Sequence, residues 1–242
     1  MQQRILAFSS SKTGNRGYLE TAAPVIDNFL NHPKSTIAFI PFASVNNDYE
    51  AYTEKLRTAL LATYNIITVT HDNATKVIAA ADAIMVGGGN TFKLLHDMYT
   101  TTSLQLVQRK VNTGTPYIGW SAGANITGAN ICTTNDMPII NPTSFDALGF
   151  FRFQINPHYY NIPLQDFNGE TRDQRLEEFL QLNPNKTIIA LPEGTALLLQ
   201  KGSLKLIGST AAFILTNKNN TILKRKLEVG SELDYLIGNN IE

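Results

Sequence analysis

The sequence predicts an α/β fold: a mostly parallel central sheet flanked by helices, with an antiparallel C-terminal extension. Three observations point there. The first half alternates short apolar runs with stretches of helical spacing, the rhythm of strands joined by helical crossovers. The runs are continuously apolar, as strands covered on both faces must be. Beyond about Gly128 the segments shorten, and prolines stand at 138, 142, 157 and 163, which marks a change of architecture.

Taken in order, Ile5–Phe8 reads as the first strand and residues 18–30 as a helix. Thr36–Ile40 is the second strand, and residues 49–64 carry Ala51, Leu56, Leu60 and Leu61 near one helical face. Residues 66–69 form the third strand, Ala74–Ala80 a short helix and Ala83–Val86 the fourth strand. Helices follow over 91–98 and 103–111. Pro116-Tyr117-Ile118 enters a fifth strand, with a helix-compatible stretch over 124–127. In the C-terminal half one helix is clear, over 170–182. Strand-like runs follow at 188–191, 196–199, 204–207 and 213–215, with turn signals at Lys201-Gly202 and Asn219-Asn220. These strands are expected to pack antiparallel on the same sheet. No linker, repeat or low-complexity stretch interrupts residues 1–242, so a single domain is expected.

Composition removes several classes of function. The formal net charge is zero in a chain of 242 residues, and no long basic block exists. Nucleic-acid or membrane-surface binding therefore has no electrostatic support. The short run Lys224-Arg225-Lys226 reads as a solvated strand face. Cys132 is the only cysteine, which excludes an intramolecular disulfide and fits a reducing compartment. It is expected to be a plain buried or half-buried thiol. Residues 1–6 run straight into a strand without signal-peptide character, and no apolar run is long enough to span a bilayer. A cytoplasmic location is expected. No His-x-x-x-His, cysteine pair or Asp-rich loop suggests a metal, and no cofactor is expected.

The most informative segment is Gly119-Trp120-Ser121-Ala122-Gly123. A serine flanked at minus two and plus two by glycine, between a strand and a helix, has the form of a nucleophile elbow. The turn is too tight for large neighbours, and it pushes the hydroxyl off the sheet edge. The next N–H, that of Ala122, sits at a helix start where it can stabilise an oxyanion. The bland alternative is an ordinary serine cap. Gly87-Gly88-Gly89-Asn90 follows the fourth strand and opens a helix at Thr91. Lacking the phosphate-loop signatures, it reads either as a second oxyanion donor or as a close-packed turn.

A serine nucleophile needs a base. His32 precedes a proline in a loop, His71 ends the third strand, and His96 lies within a helix. His158 follows Phe153-Gln154-Ile155-Asn156-Pro157 at a proline-stiffened strand end, the kind of position a Ser–His pair requires. Two carboxylates compete to orient it: Asp136, between nucleophile and histidine, and Glu193, in the turn Leu191-Pro192-Glu193-Gly194. Spacing does not choose between them.

Five ordered segments resemble the peptidase E family, the α-aspartyl dipeptidase group of serine peptidases. They are Gly87–Thr91, Gly119–Asn125, Ile155–Tyr159, Thr171–Arg175 and Leu191–Gly194. The resemblance implies a flavodoxin-like fold similar to class I glutamine amidotransferases. It implies hydrolysis of dipeptides with an N-terminal aspartate, without metal or organic cofactor. Ser121 would be the nucleophile, His158 the base, and Asp136 the acid, with Glu193 second. The N–H groups of Gly89 and Ala122 would form the oxyanion hole. Arg172 would grip the substrate's aspartate, with Gly88 and Asn90 also lining the substrate site. A planar guanidinium suits a short carboxylate; without the resemblance, a surface pairing of Arg172 with Glu170 or Asp173 is the preferred reading. A cyanophycinase-like peptidase, an esterase and a non-catalytic anion-binding module share parts of the pattern. A homodimer is compatible with it.

Overall fold

A computed structural model describes residues 2–61, 63–162 and 168–238. Pro163 lies outside them. Five parallel strands form one side of a seven-stranded sheet: β1 (Ile5–Phe8), β2 (Thr36–Ile40), β3 (Asn65–Thr68), β4 (Ala83–Val86) and β5 (Tyr117–Trp120). Their order is β3-β2-β4-β5-β1. β8 (Thr195–Gln200) pairs antiparallel with β1, and β9 (Ser203–Gly208) with β8. The expected α/β architecture is therefore present, but the C-terminal strands divide. β7 (Thr187–Ala190), β10 (Ala212–Lys218) and β11 (Thr221–Leu227) leave the main sheet. They join β6 (Gln154–Asn156) in a second sheet of order β11-β10-β7-β6. In that sheet β6 and β7 run parallel. Sequence pattern gives a strand's faces but not the sheet it joins.

The continuous apolar strands are explained by burial on both faces. Ile5, Ala7, Ala38 and Ile40 point into one core with α3 (Ala74–Ala80), α4 (Thr91–Thr100) and α5 (Ser103–Asn112). Leu6, Phe8, Ile37 and Phe39 point into the other, with α1 (Ala23–Leu30) and α2 (Tyr49–Ala59). The period of two sends neighbours to opposite cores. A third cluster joins Leu176 and Leu180 of α7 (Arg172–Leu182) to Ile188, Ala190 and Leu215 of the second sheet.

Helix starts follow cap chemistry. α1 begins at Ala23, later than its apolar spacing suggests, because Pro24 takes the first turn. The Asp48 side chain accepts the Ala51 N–H at the head of α2. Thr171 and Gln174 form a capping box at the head of α7. On β11, Lys224, Arg225 and Lys226 are exposed, as expected. Lys224 pairs with Asp173, and Lys226 with Glu228. Cys132 is exposed, contrary to expectation. No helix among the described residues is long and apolar enough to cross a membrane.

One buried charge cluster fixes the loop after β2. The Asp97 carboxylate accepts the Lys93 ammonium at 2.6 Å, and His96 Nδ1 lies 2.9 Å from it. Lys93 also donates to the Phe42 carbonyl at 3.1 Å. Burial pushes the Asp97 pKa up, but the Lys93 and His96 contacts outweigh it and leave the group below its ordinary value. A lowered carboxylate pKa stabilises the fold above the unfolded value and ceases to as pH falls through the folded one. Asp97→Ala should lose about 3 kcal/mol in urea unfolding at neutral pH, because it leaves Lys93 buried without its counter-charge. The difference from wild type should narrow below about pH 4. A neutral-pH loss under about 0.5 kcal/mol would contradict the account.

Candidate active site

The site is built at the C-terminal edge of the parallel strands, where α/β sheets place their ligands. The chain leaves β5 at Trp120 and enters α6 (Ala122–Asn125) with one residue between them. That residue, Ser121, is held at φ 55°, ψ −114°, a conformation that costs a non-glycine residue about 1–3 kcal/mol. The turn closes only because Gly119 and Gly123 lack side chains. A Cβ on Gly119 would collide with the Gly123 carbonyl, and one on Gly123 with the Val86 carbonyl. The Tyr117 hydroxyl donates to that Gly123 carbonyl at 2.6 Å.

β4 pairs with β5 in parallel, with Val86 opposite Gly119. The turns that follow these strands therefore lie side by side. A Cβ on Gly88 would come within 2.9 Å of the Ser121 Cβ. Gly89 adopts φ 139° and packs against the Ala43 carbonyl so closely that no Cβ fits. The N–H groups of Gly89 and Ala122 find no protein acceptor among the described residues. The Gly88 N–H is engaged, donating to the Tyr52 hydroxyl at 3.0 Å. Asn90 is engaged too: its carbonyl oxygen caps α4, and its NH2 donates to the Met137 carbonyl at 2.9 Å.

His158 arrives from the second sheet. Its Nε2 lies 2.9 Å from the Ser121 Oγ, and its Nδ1 lies 2.8 Å from Glu193 Oε1. A carboxylate only accepts, so Nδ1 carries the proton and Nε2 accepts from the serine hydroxyl. His32, His71 and His96 make no hydrogen bond to Ser121. The imidazole's loop is tied from two sides. The His158 N–H donates to Ser9 Oγ at 2.9 Å, and Ser9 Oγ donates to the Leu191 carbonyl at 2.7 Å. Asn135 donates to the Pro157 carbonyl at 2.7 Å. Sequence reasoning missed Ser9; its place directly after a parallel strand is the signal that could have found it.

Of the two candidate carboxylates, the one in contact with the imidazole is Glu193, not Asp136. Asp136 is captured elsewhere. Its Oδ2 accepts the Thr91 N–H at 2.7 Å, the Thr91 hydroxyl at 2.6 Å and the Thr134 hydroxyl at 3.2 Å. The two Thr91 donors lie at the N-terminus of α4, which favours an anion. Asp136 lines a cavity of about 170 Å³ with Asn156, Arg172 and Arg175.

Arg172 opens α7. The surface pairings weighed for it are not made. Asp173 accepts from Tyr159, Asn161 and Lys224, and Glu170 faces Arg175 at 3.6 Å. Arg172 has no ion-pair partner among the described residues. Burial, then the neighbouring Arg175, lowers its pKa, and Asp136 opposes this. The Arg172 guanidinium is half-buried and lines the same cavity as Asp136. No cluster of three or more His, Cys, Asp or Glu among the described residues could hold a metal ion.

Known proteins resemble this chain in sequence and fold. Residues 5–207 match the sequence model of peptidase family S51. The chain is 45% identical to peptidase E of a Nostoc species over 88% of its length and 89% of the relative's. It is 46% identical to peptidase E of Haemophilus influenzae, covering 88% of this chain and 99% of that one. A 1.5 Å crystal structure of a putative peptidase E from Listeria monocytogenes superposes with a TM-score of 0.68 at 25% identity, covering 87% of this chain and all of that one. On this evidence the chain belongs to peptidase family S51.

Proposed function

We propose that the protein is a serine dipeptidase that hydrolyses the peptide bond following an N-terminal aspartate. The observation that carries the reading is the 2.9 Å contact between Ser121 Oγ and His158 Nε2 at a strained elbow. In the proposed reaction Ser121 attacks the scissile carbonyl as its proton passes to His158 Nε2. The Gly89 and Ala122 N–H groups receive the charge that develops on the carbonyl oxygen. His158 then protonates the departing amine, and the aspartyl ester left on Ser121 is hydrolysed by water with His158 again as base. Glu193 holds the imidazole in the tautomer this requires.

Substrate choice follows from charge. Arg172 supplies a fork for the aspartate side chain, and Asp136, on the same cavity, supplies an acidic wall suited to the α-ammonium. Asparagine would leave the cation unpaired. Glutamate, one methylene longer, would misplace the carbonyl, and about 1 Å of misplacement can cost roughly a hundredfold in rate. The single cysteine supports action in a reducing compartment, and we assign the enzyme to the cytoplasm.

Turnover of Asp-Leu, with little of Glu-Leu, Asn-Leu or an aryl ester, is the expected result of a substrate panel, and Ser121→Ala should abolish it while the protein stays folded. An equal rate on all four compounds would favour a simple esterase. Glu193→Gln should lower kcat roughly 10²-fold with little change in KM, whereas Asp136→Asn should act mainly on KM. The reverse pattern would return the orienting role to Asp136. Arg172→Ala should lower kcat/KM on Asp-Leu by about 2–3 kcal/mol, or roughly 10²-fold. An equal loss on an uncharged ester would remove its recognition role.

A further inference from the structure

We infer that Tyr52 is a positioning residue of the oxyanion hole: its hydroxyl ties the glycine turn after β4 to the indole that precedes Ser121, and so holds the Gly89 and Ala122 N–H groups in register. The inference rests on the reading of these two groups as oxyanion donors.

Tyr52 comes from α2, far from either turn in sequence. Its oxygen accepts the Gly88 N–H at 3.0 Å and the Trp120 Nε1–H at 3.1 Å, and its proton goes to the Gly88 carbonyl at 3.2 Å. A phenol offers one donor and two acceptor sites, so its capacity is filled. Both partners lie just before a proposed donor: Gly88 one residue before Gly89, and Trp120 two residues before Ala122. With the Gly88 N–H taken, the N–H left free in this turn is that of Gly89. On the far side of Gly89, the Asn90 N–H donates to the Ala43 carbonyl at 2.8 Å. Gly89 is thus held from both ends.

The surroundings make Tyr52 rigid. Phe39 meets its ring edge-on at 5.1 Å and stacks on Trp120 at 5.8 Å. Tyr18 packs edge-on against the same indole at 6.2 Å. Gly87 admits the phenol, because a Cβ there would stand 2.8 Å from its oxygen. Burial raises the Tyr52 pKa, so the hydroxyl keeps its proton throughout the neutral range. Oxyanion donors act by being fixed before the charge appears. A clamp joining the two turns supplies that fixity without touching substrate.

The test is Tyr52→Phe, which keeps the ring and removes the hydroxyl. On Asp-Leu, kcat should fall roughly 10- to 100-fold while KM stays within about threefold, the mark of an interaction realised only in the transition state. Trp120 is the only tryptophan, so its emission reports the lost indole bond directly and should shift to shorter wavelength. Should Tyr52→Phe fail to fold, Gly87→Ala displaces the phenol with the ring intact and should give the same loss in kcat alone. An unchanged kcat in the folded variant, with or without the spectral shift, overturns the inference. So does a fall in kcat/KM carried by KM. The wild-type enzyme in the same assay separates the two claims. If it leaves Asp-Leu intact, the dipeptidase reading fails, and the clamp is read from aryl-ester hydrolysis, where the same fall in kcat is expected. If wild type turns over and Tyr52→Phe is unimpaired, the clamp alone fails.

Discussion

The reversal of the chain between β5 and α6 is the constraint on which the site depends. A serine at φ 55° is unfavourable by itself. It is held because everything around it is already fixed: β5 pairs on both sides with β4 and β1, and the Ser121 N–H donates to the Phe8 carbonyl at 3.1 Å. Gly119 and Gly123 let the two arms of the turn touch. The result is a hydroxyl projected off the sheet edge, beside an N–H at a helix start. Strain of this kind persists only where the surrounding structure over-determines it.

The partners of that hydroxyl come from a different layer. His158 follows β6, and Glu193 lies between β7 of the second sheet and β8 of the first. β6 and β7 run parallel, with Asn156 opposite Ala190, so their C-terminal ends emerge together. Ser9, at the end of β1, bridges both by accepting from the His158 N–H and donating to the Leu191 carbonyl. Ser121, His158 and Glu193 are thus brought together from strands of both sheets. The imidazole and the carboxylate remain 40% and 51% exposed. Water screens their attraction.

Much of this was legible in the sequence, for physical reasons. Continuous apolar runs gave the five parallel strands, because burial on both faces leaves no polar side. The elbow was legible because its glycines are demanded by local sterics. His158 stood out because a proline fixes its loop, and Arg172 through the resemblance of its segment. What escaped was non-local. Asp136 and Glu193 both sit in short turns, and nothing in their neighbours reveals that the head of α4 captures one and leaves the other to the imidazole. The division of the C-terminal strands between two sheets was hidden for the same reason, since β7 and β8 look alike in sequence. Ser9 and Tyr52 carry no local mark of their contacts.

The central claim is that Ser121 is activated by His158 and by no other group. Covalent labelling with a fluorophosphonate, followed by mass-spectrometric mapping of the modified peptide, tests it most directly. The account predicts a single adduct on Ser121, formed in wild type and almost absent in His158→Ala. An adduct on another residue, or labelling of Ser121 at an undiminished rate without the imidazole, would contradict it.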